Sequence, residues 1–168
     1  MAREQMGGED AALLDDTVKE AQAAINELRE LAAGIYPSVL ASHGLAVAVR
    51  ELAARSPVPT AVTGDIPGRP PKNVEASAYF LVAEALTNVA KHAQATRATV
   101  TMNDDGQVLA LEIQDDGIGG ASLSAAGSGL MGMADRASAL GGELTVDSPA
   151  GHGTRVRAVI PCPQRSGA

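Results

Sequence analysis

Two alternating runs, Ala98 to Met102 and Val108 to Gln114, meet across Asn103-Asp104-Asp105-Gly106, and this hairpin signature constrains the fold of the chain more than any other feature. A second pair, Glu143 to Asp147 and Thr154 to Ile160, flanks the turn Pro149-Ala150-Gly151-His152-Gly153. The helical patterns lie before the first hairpin or between the two. Leu45 to Ala54 follows Gly44 and exits through Pro57 and Pro59, Thr60 to Thr63 reads as a short strand, and the Pro/Gly-rich segment Ile66 to Lys72 reads as loop. A helix rich in Ala, Leu, Val and Glu then runs from Asn73 to Ala93, and a last helix stops at Gly141-Gly142. Helices followed by paired strands, without regular alternation, specify an α+β fold, a two-layer α/β sandwich.

Ahead of this domain the apolar positions Leu14, Val18, Ala21, Ile25, Leu28, Ala32 and Ile35 alternate by four and three, the seam of a coiled coil. The same spacing also fits one amphipathic helix packed on its own domain. Pro37 ends the pattern, because its ring blocks the helical hydrogen bond. The chain therefore divides into residues 1–10, polar and expected to be disordered or extraneous to the fold, a helix within 11–37, a globular domain over 44–161, and a tail, 162–168.

At 168 residues and 45% hydrophobic composition, one ordinary core is the expectation. A formal net charge of −7 excludes the clustered basic surface that holds a nucleic-acid backbone. Phosphate, if bound, must be held locally, by backbone N–H groups, a metal and one or two lysines. The single cysteine, Cys162, cannot form an internal disulfide, which fits a reducing, cytoplasmic setting. No apolar run approaches the roughly 20 residues of a membrane span, so no membrane contact is expected from this segment. With one Phe, two Tyr and no Trp, few rings could stack on a base. A nucleotide base would have to be read by hydrogen bonds and aliphatic contacts.

Four segments carry candidate chemistry. Glu84, Asn88 and His92 recur every fourth residue on the long helix, with Lys91 alongside; they share one face, which an ordinary solvated stripe would also explain. The alternation of Leu109, Leu111 and Ile113 carries on to Asp115, which is expected to point towards the covering helices, and Asp116 away. A carboxylate at the rim of a core must be hydrogen-bonded, and an exocyclic purine amine is one donor it could accept; a loop acid capping a turn is the plainer alternative. Gly127-Ser128-Gly129-Leu130-Met131-Gly132-Met133 opens a helix, where N–H groups can approach an anion. Gly151-His152-Gly153-Thr154 places Thr154 on the same parity as Val156 and Ala158, aimed inward.

In this order and spacing, the four segments resemble the N box (Glu84 to Ala93), two glycine boxes (Asp115 to Gly119 and Gly127 to Gly132) and closing glycine-threonine element (Gly151 to Thr154) of histidine kinases. These belong to the wider family of gyrase, heat-shock-ninety, kinase and mismatch-repair ATPases. Leu28 to Pro37, Gly44-Leu45 and Gly141-Gly142-Glu143-Leu144 are similar to the nitrate-sensor and DesK-like subfamily, which phosphorylates NarL-type response regulators. The resemblance, from about Leu28 to Pro161, implies a Bergerat ATP-binding fold: a mixed sheet covered by helices on one face. It also implies that residues 11–37 are the C-terminal helix of a dimerisation and phosphotransfer region. The implied partners are a response regulator, a second copy of the full-length protein, and a dimerisation helix bearing the acceptor histidine.

The resemblance further implies Mg-ATP as cofactor. Asn88 would ligate the metal, a hard cation that prefers oxygen. Lys91 and His92 would approach the phosphates, and Asp115 would accept the adenine amino group beside Gly117 and Gly119. Gly127, Gly129, Leu130 and Gly132 would be ATP-binding, the glycines forming lid hinge and phosphate cradle. Thr154 would support Asp115 or a water beside it, and Glu84 is the catalytic candidate, polarising the attacking group. The chain departs from the pattern in two places. None of its histidines, His43, His92 and His152, sits on the seam helix, and the short lid holds no phenylalanine. It is therefore expected to be a fragment that binds Mg-ATP, is unable to autophosphorylate alone, and belongs to a full-length protein that membrane anchoring would suit. An anti-sigma-factor-type serine kinase and a nucleotide-binding interaction module are the alternatives.

Overall fold

The computed structural model describes residues 37–123 and 128–162, all within one compact unit that begins at Pro37. The seam from Leu14 to Ile35 and Gly127 lie outside the described residues. The elements run α1 (Ser38–His43), α2 (Leu45–Ala54), β1 (Thr60–Asp65), α3 (Lys72–Asn88), β2 (Ala98–Asp104), β3 (Val108–Asp115), α4 (Ser128–Ser138), β4 (Glu143–Asp147) and β5 (Arg155–Pro161). The five strands form one sheet in the order β1-β2-β3-β5-β4. β1 pairs parallel with β2 and every other neighbour is antiparallel, so the sheet is mixed. This is the expected α+β sandwich.

Alternation decides which face is covered. Val100 and Met102 on β2, Leu109, Leu111 and Ile113 on β3, and Val156, Ala158 and Ile160 on β5 are all buried. The helices on that side bury Val74, Ala78, Leu81, Val82 and Ala85 of α3 and Met133 and Ala137 of α4, while α2, with Leu45 and Val49 buried, packs on α3 and β1. A fully buried Leu or Ile contributes roughly 1.5–3 kcal/mol, so this single layer carries the domain. The opposite face is polar: Thr63 and Thr101 share a hydroxyl hydrogen bond at 3.0 Å, and Arg155 pairs with Glu112 at 3.8 Å.

An ion pair between a half-exposed arginine and a buried glutamate ties the start of the domain together. Glu75, 1% exposed, faces Arg69 at 3.2 Å, whose guanidinium also donates to the carbonyls of Ala41, at 2.9 Å, and Leu40. These are carbonyls near the end of α1, where helical partners run out.

Several boundaries differ from the sequence reading: the long helix begins at Lys72, and β3 and β5 run one residue further, to Asp115 and Pro161. β1 continues to Asp65. Asn103 and Asp104, expected in the turn, are strand residues: Asp104 pairs with Leu109, and the reversal is Asp105-Gly106-Gln107, held by Asp105 Oδ1 accepting the N–H groups of Gln107 and Val108. These bonds hold the Asp105 carboxyl below the usual carboxylate range. Thr154 precedes β5 instead of opening it. The long helix is α-helical only to Asn88; Val89–Ala93 form a π turn, and Gln94 leaves it left-handed, at φ 51°. At its end the Ala93 carbonyl accepts from Ile118 N–H at 2.8 Å.

Candidate functional site

Asp115 closes β3 on the buried face, 6% exposed, as its parity requires. Its Oδ1 accepts from Gly117 N–H at 2.8 Å and Thr154 N–H at 3.3 Å, while its own N–H donates to Thr154 carbonyl at 2.9 Å. Oδ2 has no donor among the described residues. A burial-rimmed carboxylate with one oxygen committed to backbone and the other open is suited to accept a hydrogen bond from a ligand amine. The backbone runs close beside it: a Cβ on Gly117 would lie 2.1 Å from Ala93 carbonyl oxygen.

Glu84 and Asn88, four residues apart in regular α-helix and half-buried, do share a face. The first turn of α4 stands against that face. A Cβ on Gly129 would lie 2.7 Å from Glu84 Oε1, 3.5 Å from Asn88 Nδ2 and 3.6 Å from Asn88 Oδ1. A carboxylate and a carboxamide are thus brought to a helix N-terminus, where N–H groups lack helical acceptors and the dipole favours an anion. Leu130 follows, half-buried, whereas Gly132 sits one turn further in, with open space where a side chain would go. Lys91 and His92 belong to the π turn and are exposed.

The closing element completes the contacts. Thr154 supports Asp115 through its backbone; its hydroxyl instead pairs with Ser148 Oγ at 2.8 Å. Ser148, which the sequence reading missed, is a junction: its Oγ accepts from Ala121 N–H at 3.0 Å and its carbonyl from Gly120 N–H at 2.8 Å. It thereby fastens the exit of the first glycine segment to the strand beside Asp115. The available signal was its place just before the Pro149-Ala150-Gly151 turn. Asp116 points outward, as expected, and its carboxyl is held below the ordinary range first by the Thr96 hydroxyl and then by Arg97 N–H.

All four motif segments therefore touch. The long helix meets the first glycine segment through Ala93 and Ile118, and α4 through Gly129; the closing turn meets Asp115 through Thr154. Residues 73–164 match the family described as histidine kinase-, DNA gyrase B-, and HSP90-like ATPase. The chain belongs to this ATPase family. The sensor histidine kinase LiaS of Bacillus subtilis is 33% identical over 159 residues, which is 88% of this chain and 44% of that protein. The chain thus spans less than half the length of that relative. A histidine kinase domain from the Erythrobacter litoralis EL346 blue-light activated kinase superposes with a TM-score of 0.53 at 27% identity, over 70% of this chain and 57% of the other. The ATP-binding domain of PrrB from Mycobacterium tuberculosis, at 21% identity and a TM-score of 0.55 over 71% of this chain and 92% of that one, shares the fold.

No cluster of three or more His, Cys, Asp or Glu able to hold a metal occurs among the described residues. Where α4 stands against the long helix the side-chain oxygen donors are those of Glu84 and Asn88, a set too small to hold an ion by itself. It fits Mg²⁺, which keeps several waters and is bound by one or two protein oxygens together with substrate phosphates. No helix among the described residues is long and apolar enough to cross a membrane.

Proposed function

We propose that this domain binds Mg-ATP and transfers its γ-phosphoryl group to a histidine on a dimerisation helix, for relay to a NarL-type response regulator, within a homodimeric sensor kinase. The observation that carries the reading is that the segment bearing Asp115 is tied to the end of the long helix through Ile118 and Ala93, while the start of α4 stands against Glu84 and Asn88 of that same helix. Asp115 accepts the adenine amino group through Oδ2, with Gly117 and Gly119 keeping the backbone low beside the base. Asn88 would supply an oxygen to Mg²⁺, Lys91 and His92 would approach the phosphates, Gly127, Gly129 and Gly132 would serve as lid hinge and phosphate cradle, and Leu130 would be ATP-binding. Glu84 polarises the attacking group. Mg²⁺ neutralises charge on the phosphates; the side chains position, because phosphoryl transfer leaves little covalent chemistry to them.

The test is calorimetric titration of ATP, with Mg²⁺ and with EDTA, into wild type and Asn88→Ala. Asn88→Ala should lose most of the Mg²⁺-dependent gain and little of the metal-free affinity. An equal gain in both proteins would remove Asn88 from the metal. Incubated with γ-labelled Mg-ATP, the chain alone should acquire no acid-labile phosphohistidine, because none of its three histidines is the acceptor in this reading. Its appearance would contradict the placing of the acceptor elsewhere.

A further inference from the structure

Between the π turn and β2 lies a short connection, residues 94–97, whose only role in the preceding account is to join two elements. Its bonds say more. Asp116 Oδ1 accepts the backbone N–H groups of Thr96, at 2.8 Å, and Arg97, at 3.0 Å. Oδ2 accepts the Thr96 hydroxyl at 2.7 Å and lies 3.4 Å from Arg97 Nε. The backbones add Asp116 N–H to Arg97 carbonyl, at 3.4 Å, and Ile118 N–H to Ala93 carbonyl, at 2.8 Å. An exposed carboxylate normally faces water and spends little on fixed partners. This one directs both oxygens at a single turn.

We propose that Asp116 is a positioning residue for base recognition: by clamping the 94–97 turn onto the first glycine segment, it fixes the backbone from which Asp115 presents Oδ2. The inference rests on the reading of Asp115 as the acceptor of the adenine amine. The logic is geometric. Asp115 and Gly117 flank Asp116 directly, and Gly117 lies against Ala93 with no space between, so the turn and the segment move as one piece while the clamp holds. The same clamp anchors the far end of the π turn that carries Lys91 and His92. Asp116 touches no ligand atom in this scheme; it acts through its neighbours.

A structural prop and a positioning residue are separated by selectivity. Mg-ATP and Mg-GTP are titrated into the full chain as wild type, Asp116→Ala, Asp116→Asn and Thr96→Ala, alongside thermal unfolding. Wild type should prefer Mg-ATP, since GTP presents a carbonyl where ATP presents the amine. Asp116→Ala should lose about tenfold in Mg-ATP affinity, the equivalent of one charge-assisted hydrogen bond, and much less for Mg-GTP, so the preference narrows. Asp116→Asn, which keeps an acceptor for the two backbone N–H groups, should fall between. Thr96→Ala, losing one bond, should narrow the preference least. A preference unchanged in Asp116→Ala, whatever its unfolding temperature, would overturn the proposal; should that variant fail to fold, an unchanged preference in Thr96→Ala would do the same. A wild type that binds neither nucleotide, or both alike, would instead sink the assignment of Asp115, and the inference with it.

Discussion

The two regions of the candidate site, the one around Asp115 proposed to read the base and the one around Glu84 and Asn88 proposed to face the phosphates, are built on different plans. Around Asp115 backbone N–H groups are fastened by hydrogen bonds to fixed acceptors: Gly117 and Thr154 on the Asp115 carboxylate, Thr96 and Arg97 on the Asp116 carboxylate, Ala121 on the Ser148 hydroxyl, and Ile118 on the Ala93 carbonyl. At the other end the backbone of Gly129, in the first turn of α4, packs against the side chains of Glu84 and Asn88. The difference teaches where specificity and chemistry are stored. A base is a rigid object and is read by a fixed acceptor; phosphates and their metal are gathered by side chains and helix N–H groups that need not be set beforehand.

That contrast can be broken by substituting glycines at the two ends. Gly117→Ala should have the larger effect, because its Cβ would lie 2.1 Å from Ala93 carbonyl oxygen and backbone must shift to admit it. Overpacking of this kind costs about 1–3 kcal/mol or more, so urea unfolding should show a clear fall in midpoint. A midpoint unchanged would mean that the base end is not fastened as described. Gly132→Ala should act in the opposite direction and weakly. The position lies inside α4 with nothing within 4 Å of the new methyl group, and alanine gains up to about 1 kcal/mol over glycine in a helix interior. A large loss of stability there would show that α4 packs more tightly than its open surface implies.

Much of this was legible in the sequence, for identifiable reasons. Period-two alternation placed Asp115 inward and Asp116 outward, and both lie so. The bounds of α2 and β4 follow directly from Gly44 and from Gly141-Gly142. The π turn was hidden, because five residues of Val-Ala-Lys-His-Ala carry no periodicity that distinguishes it from continued α-helix. Asp104 was misplaced because aspartate followed by Asp-Gly is a turn signal, yet here it extends the strand and its carboxylate accepts Gly106 N–H at 2.8 Å. Ser148 was invisible as a junction for the same reason that makes serine common in turns. Gly117 and Gly132 look alike as letters; only the neighbouring backbone tells an obligatory glycine from a replaceable one.

The central claim is that one fixed carboxylate reads the base. Its most direct measurement is the affinity of Mg-ATP for wild type against Asp115→Asn by calorimetric titration, with thermal unfolding as the control on folding. The account predicts micromolar-range or weaker binding by wild type and a loss of about tenfold or more in the variant, because the amide keeps one acceptor for the loop but forfeits the charge that strengthens the bond to the amine. Equal affinity of the two proteins, or binding by neither, would contradict it.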